Sequence, residues 1–273
     1  MKILLCERSF EGHRKIYLEQ LTKIPGIEFY VYAPQNIGVK EGQYFKFERL
    51  ENLKSAKRYI LWINCIKEIV KHYEIDVVHI LDGDGIMRYF GLGFPALDVK
   101  KLVITYHHFF PGIVRKISYR FMNAGKNIVS IVHTESVKKR FLSNGIKNVE
   151  VCAYPAFRFS SIAECNVAEC KSELGVPQDI ATIGIIGGMA PYKNILFFLN
   201  ALRKCEVCFH ILIAGESNDN LFQNQLLDAI EPYKENVTLI AKRLTDDEYV
   251  TAIVASDIIF CIYGREFDGA SGP

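Results

Sequence analysis

From Lys2 to Tyr263 the chain alternates short, unbroken apolar runs with stretches whose apolar residues recur at helical spacing. A strand buried on both faces reads as a continuous apolar run, and strands alternating with helices build a parallel sheet covered on both sides. The first set of runs is Lys2–Glu7, Ile27–Ala33, Asp76–Leu81, Leu102–Tyr106, Asn127–His133 and Val149–Ala153. Helical spacing is clearest over Leu53–Tyr73 and Thr134–Asn144, the latter with Thr134 as its start and Gly145 as its stop. These runs predict one doubly wound domain over residues 1–155. Residues 156–178 read as a linker ending in the first helix of a second unit, which occupies residues 179–273. There the alternation restarts, with strands at Ala181–Ile186, Val207–Ala214, Val237–Ala241 and Asp257–Tyr263. Helices are expected at Ile195–Arg203, Leu221–Tyr233 and Asp246–Ala255.

A doubly wound domain in strand order 3-2-1-4-5-6 needs two more strands after the fourth. The expectation is therefore an α/β chain whose second domain is incomplete. Its fourth strand would carry the apolar run Ile258–Ile262 at a free edge, which invites self-association.

Composition narrows the class. Of 273 residues, 49% are hydrophobic and 23% charged, as in a globular protein rather than a disordered one. A formal net charge of +2 gives no argument for nucleic acid. No apolar run approaches the roughly 20 residues of a membrane span, and the first apolar run is too short for a signal peptide. A cytoplasmic location is expected. The eight cysteines are scattered, and the Cys205-x-x-Cys208 pair, even with Cys165 and Cys170, matches zinc-ribbon spacing poorly. No metal is expected.

The chemistry concentrates where the apolar run Ile183–Ile186 stops at Gly187-Gly188 and Pro191-Tyr192-Lys193 leads into the next helix. Glycines let backbone amides approach a ligand closely, and a helix start favours an anion. Lys193 adds a mobile positive charge, so a phosphate or diphosphate is the ligand class; a tight turn with a solvated lysine is the plainer alternative. In a sheet of this order, ligands bind where strand order reverses, between the first and fourth strands. The loop after the fourth strand runs from Gly264 to Gly272. Its Glu266 or Asp268 suits sugar hydroxyls.

In their order and spacing these segments resemble a family 4 glycosyltransferase of the GT-B fold, which has two Rossmann-like domains. The resemblance runs through Asp76-Val77-Val78-His79, Thr105-Tyr106-His107, Ile185–Asn194, Leu212–Glu216 and Ala255–Ile258. It implies transfer of a hexose, with retention, from a nucleoside-diphosphate sugar to a carbohydrate or lipid-linked acceptor. It implies no cofactor beyond that co-substrate and a role in polysaccharide biosynthesis. Catalytic roles fall on His107, Lys193 and Glu266. Donor binding falls on Gly12, Gly187, Gly188, Lys193, Glu266, Asp268 and Gly269.

The chain departs from the family pattern in three ways. Neither Gly188 nor Ala190 is the usual arginine, Asn194 replaces a glycine, and the partner of Glu266 would fall beyond Pro273. A non-catalytic remnant or binding module of the same fold is thus the competing reading. A nicotinamide dehydrogenase is disfavoured, because no Gly-x-Gly-x-x-Gly follows either first strand. For any one of His13, His79, His107, His108 and His133 a structural role is the commoner one, and at His107 it stands against the catalytic role. Arg115, Lys116 and Arg120, with Lys138, Lys139 and Arg140, offer a basic surface for peripheral contact at the inner membrane face, against the solvated helix faces such residues usually form.

Overall fold

The computed structural model describes residues 1–10, 14–48, 55–90, 97, 99–109, 112–122, 127–153, 162, 165–204 and 208–264. The chain divides into two compact units, in the main Met1–Phe157 and Arg158–Phe267.

Unit 1 holds seven strands: β1 (Lys2–Cys6), β2 (Glu28–Ala33), β3 (Tyr44–Lys46), β4 (Val77–Ile80), β5 (Lys101–Tyr106), β6 (Ile128–Val132) and β7 (Val149–Val151). Their order is β3-β2-β1-β4-β5-β6-β7, with every pairing parallel. The helices are α1 (Arg14–Leu21), α2 (Ser55–Tyr73), α3 (Gly83–Phe90), α4 (Ile113–Met122) and α5 (Glu135–Ser143). Successive strand residues face opposite sides of a sheet. Accordingly, Leu4 and Cys6 join the core with Trp62, Ile63 and Ile66 of α2 and Phe141 of α5. Leu5 joins a separate cluster with Tyr17 and Leu18 of α1. Helix α2 buries Tyr59, Trp62, Ile63, Ile66 and Ile69, a stripe at helical period. Thr134 caps α5 by accepting the Val137 amide at 3.2 Å.

Unit 2 holds β8 (Thr182–Ile186), β9 (His210–Gly215), β10 (Val237–Ala241) and β11 (Ile258–Ile259) in the parallel order β10-β9-β8-β11. This is the 3-2-1-4 arrangement expected for its first four strands. Its helices are α6 (Val167–Glu173), α7 (Ile195–Leu202), α8 (Asn220–Ile230) and α9 (Asp246–Val254). Ile185 packs with Ile195 and Leu199 of α7 and Phe222 of α8. Ile186 packs with Cys170 of α6 and Ala252 of α9. Asp257 joins the two ends of the unit: one carboxylate oxygen accepts the Thr182 amide at 2.8 Å and the buried Lys171 ammonium at 2.9 Å.

Several expectations are corrected. Strand β3 had no apolar run to announce it. The run Asp257–Tyr263 contributes only Ile258–Ile259 to the sheet, although the Phe260 amide still reaches Gly184 O at 2.8 Å. Strand β9 begins at His210, after Cys208 and Phe209, and the expected start at Val207 lies outside the described residues. Helix α8 ends at Ile230, where a 3-10 turn over Glu231–Asn236 carries Pro232 in its first turn. Pro232 lacks the N–H that would continue the α-helix. Among the described residues, no helix is long and apolar enough to cross a membrane.

Candidate functional site

In unit 2 the turn after β8 is built by hydrogen bonds to the end of β9. The Gly187 amide donates to Ala214 O at 2.8 Å and the Met189 amide to Glu216 O at 2.7 Å. Gly187 takes a φ of +89°, a conformation that favours glycine. The alternate amides, of Gly188 and Ala190, have no acceptor among the described residues. A side chain at Gly188 would meet nothing within 4 Å, so the backbone there faces open space. Pro191–Lys193 form a single 3-10 turn, and Asn194, at φ +52°, redirects the chain into α7.

Lys193 folds back over this turn. Its Nζ donates to Ile186 O at 3.3 Å. A Cβ at Gly187 would lie 3.6 Å from that nitrogen and 3.7 Å from the Tyr249 hydroxyl. Burial pushes the Lys193 ammonium below its ordinary value, slightly opposed by Cys261. No carboxylate among the described residues pairs with it. Burial also raises the Tyr249 phenol to about 12, so it remains a neutral hydroxyl.

The stretch after β11 meets this turn. The Gly264 amide donates to Tyr192 O at 2.6 Å, and the rings of Tyr192 and Tyr263 stack with centroids 6.4 Å apart. The loops after the first and fourth strands thus converge at the point of strand reversal. Glu266, Asp268 and Gly269 lie outside the described residues, as does Gly12 in unit 1.

Unit 1 gathers charge at its own reversal point, the carboxyl ends of β1 and β4. Asp82 pairs with Arg8 at 2.5 Å and Arg14 at 3.5 Å, and Arg14 reaches Glu7 at 3.3 Å. Burial pulls Asp82 upward, but the two guanidiniums hold its carboxyl below the usual value. Glu7, almost wholly buried, is raised by burial despite Arg14. Asp84 accepts the amides of His107 at 3.2 Å and His108 at 3.5 Å. Burial, and then the neighbouring Asp82 charge, raises the Asp84 carboxyl to about 7.

The His107 ring is half-buried, with Nε2 at 3.2 Å from Leu81 O and its centroid 5.1 Å from that of His133. His79 is structural: its Nε2 pairs with Thr105 Oγ1 at 2.8 Å, and burial lowers its pKa to about 4. Glu7, Asp82 and Asp84 escaped the sequence reading. For Asp82 and Asp84 the signal was the Asp82-Gly83-Asp84-Gly85 run directly after a strand at the reversal point. Among the described residues no His, Cys, Asp and Glu cluster could hold a metal ion.

No protein-family model matches the sequence, and no curated protein does. Solved structures do. A glycosyltransferase from Rickettsia africae ESF-5 superposes with a TM-score of 0.69 at 19% identity, over 94% of this chain and 72% of that one. HepE of Anabaena, solved in complex with UDP, gives 0.64 at 14% identity over 95% and 73%. A UDP-GlcNAc 2-epimerase from Neisseria meningitidis, bound to UDP-GlcNAc, gives 0.57 at 15% identity over 95% and 77%. At these identities the likeness establishes the fold, two Rossmann-like parallel α/β units as in GT-B proteins.

Proposed function

We propose that this chain is a sugar-nucleotide-dependent glycosyltransferase of the family 4 type. It moves a hexose, with retention, from a nucleoside-diphosphate sugar to a carbohydrate or lipid-linked acceptor. The observation that carries the reading is the turn after β8. There two amides without acceptors and an ammonium without a carboxylate, among the described residues, stand at the end of a strand, at the point of reversal. Preorganised donors of this kind stabilise charge developing on a leaving diphosphate. In the transfer, the bond between sugar C1 and the diphosphate oxygen breaks with its electron pair leaving on the diphosphate. The acceptor hydroxyl oxygen bonds to C1 and gives up its proton. In unit 1, His107 and Asp84 are the groups assigned to positioning and proton handling. Glu266 is assigned to the donor sugar's hydroxyls.

A second reading is isomerisation of the nucleotide sugar itself. It is supported by the fold shared with an epimerase and by an Asp84 carboxyl that gains and loses a proton near neutrality. Incubating the chain with UDP-, ADP- and GDP-sugars and an oligosaccharide pool separates the two. Transfer releases nucleoside diphosphate as the acceptor grows in mass. Isomerisation leaves the nucleotide attached and changes the sugar. A chain that binds nucleoside diphosphate and does neither is a binding module.

A further inference from the structure

Unit 1 contains a cleft of about 570 Å³ that the nucleotide reading leaves unused. That volume falls within the roughly 300–1,000 Å³ of small-ligand pockets. Its aromatic wall is Tyr32, Phe47, Tyr59, Trp62 and Tyr89. The rings of Tyr59 and Tyr89 stack 5.1 Å apart, and Trp62 lies 6.2 Å from Tyr59. Four cations, Arg8, Arg14, Lys46 and Arg58, line it against two carboxylates, Glu48 and Asp82. Asp82 is engaged by Arg8 and Arg14, and Glu48 by Lys46. Arg58, half-buried on α2, has no ion-pair partner among the described residues.

Arg8 and Trp62 stand together in the wall. Arg8 Nε and Trp62 Nε1 are buried N–H donors that find no acceptor among the described residues, and neither opens on the cleft. The Arg8 guanidinium lies 5.4 Å from the Trp62 ring centroid and bonds to Asp82. A Cβ at Gly85 would overlap Arg8 Nη2, so the glycine at the start of α3 makes room for it.

We propose that this cleft binds a sugar unit carrying an acidic group, a carboxylate or a phosphate, with Arg58 as its counter-charge. The apolar face of the ring lies on the aromatic wall. The choice of a sugar rests on the transfer reading, whereas the demand for an anion rests on unit 1 alone. The acceptor is then an acidic saccharide.

Trp62 is the single tryptophan of the chain, so its emission reports on this cleft. The full chain is titrated with glucuronic acid, glucose 6-phosphate, glucose and inorganic phosphate, following Trp62 fluorescence. At least one acidic sugar is expected to saturate the signal about tenfold or more tighter than glucose and than phosphate. Saturation by glucuronic acid alone identifies a carboxylate, and by glucose 6-phosphate alone a phosphate. Arg58→Gln should bring the acidic sugar to the level of glucose, and Arg58→Lys should restore part of the preference. Equal binding of glucose and the acidic sugars, equal binding of free phosphate, or an Arg58→Gln variant that keeps the preference would each overturn the proposal. UDP binding measured calorimetrically on the same samples reports on unit 2 separately, so the cleft and the nucleotide site fail independently.

Discussion

A methyl group on Gly215 would overlap the carbonyl oxygen of Gly187, so the end of β9 lies directly against the turn after β8. Gly215 also holds a φ of +153°, where side chains are rare. Gly215→Ala is expected to push the turn away. Forced overpacking typically costs about 1–3 kcal/mol. Urea unfolding of the variant should show that loss, and nucleoside diphosphate affinity should fall with it.

Lys193→Ala tests the proposed diphosphate contact directly. A hydrogen bond to a charged group contributes roughly 1.5–3 kcal/mol, which corresponds to about a ten- to a hundredfold loss of affinity. Calorimetry with UDP, ADP and GDP measures it. Unchanged affinity for whichever nucleotide binds would remove Lys193 from the site.

Asp84 gives unit 1 a pH dependence of defined sign. Its carboxyl is raised by burial and by Asp82 to about 7, from an ordinary value of 3.8. The folded state therefore holds this proton more tightly than the unfolded state. The associated stability is complete below about pH 4 and lost as pH rises through about 7. Asp84→Asn should flatten that part of the stability profile. Thermal unfolding between pH 4 and 8, compared with the parent chain, reads the difference.

Lys171 and Asp257 predict an asymmetry. Lys171 is buried, while the Asp257 side chain is 45% exposed. Asp257→Ala strands a buried ammonium and takes the acceptor from the Thr182 amide. Breaking a fully buried pair costs about 3–5 kcal/mol, and solvent around Asp257 reduces that here. Lys171→Met keeps the packing and leaves a carboxylate that water can solvate. Chemical denaturation should show Asp257→Ala to be the more destabilising of the two.

The sheets were legible because buried parallel strands write themselves as apolar runs. Val237–Ala241 coincides with β10, and Thr182–Ile186 differs from its run by one residue. Strand β3 was not legible: three residues, Tyr44–Lys46, pair with only one neighbour at the sheet edge and have no run to mark them. The pair Gly187-Gly188 and Lys193 could be located because strand, turn and helix follow one another along the chain. The grouping of Glu7 with Asp82 depends on β1 lying beside β4, a long-range pairing that local pattern does not encode. Arg8 over Trp62 joins residues far apart in sequence through the same sheet.

Each apolar cluster is drawn from one unit's own stretch of chain, Ile3 to Val151 in the first and Cys165 to Phe260 in the second. Heredity can therefore treat the halves as separate parts. The residues of the aromatic cleft fall outside the apolar clusters that pack the glycine turn. A lineage would be free to exchange the ligand proposed for the first half while keeping the one proposed for the second. Grafting residues 1–153 of one such protein onto residues 165–273 of another is the laboratory form of that inheritance.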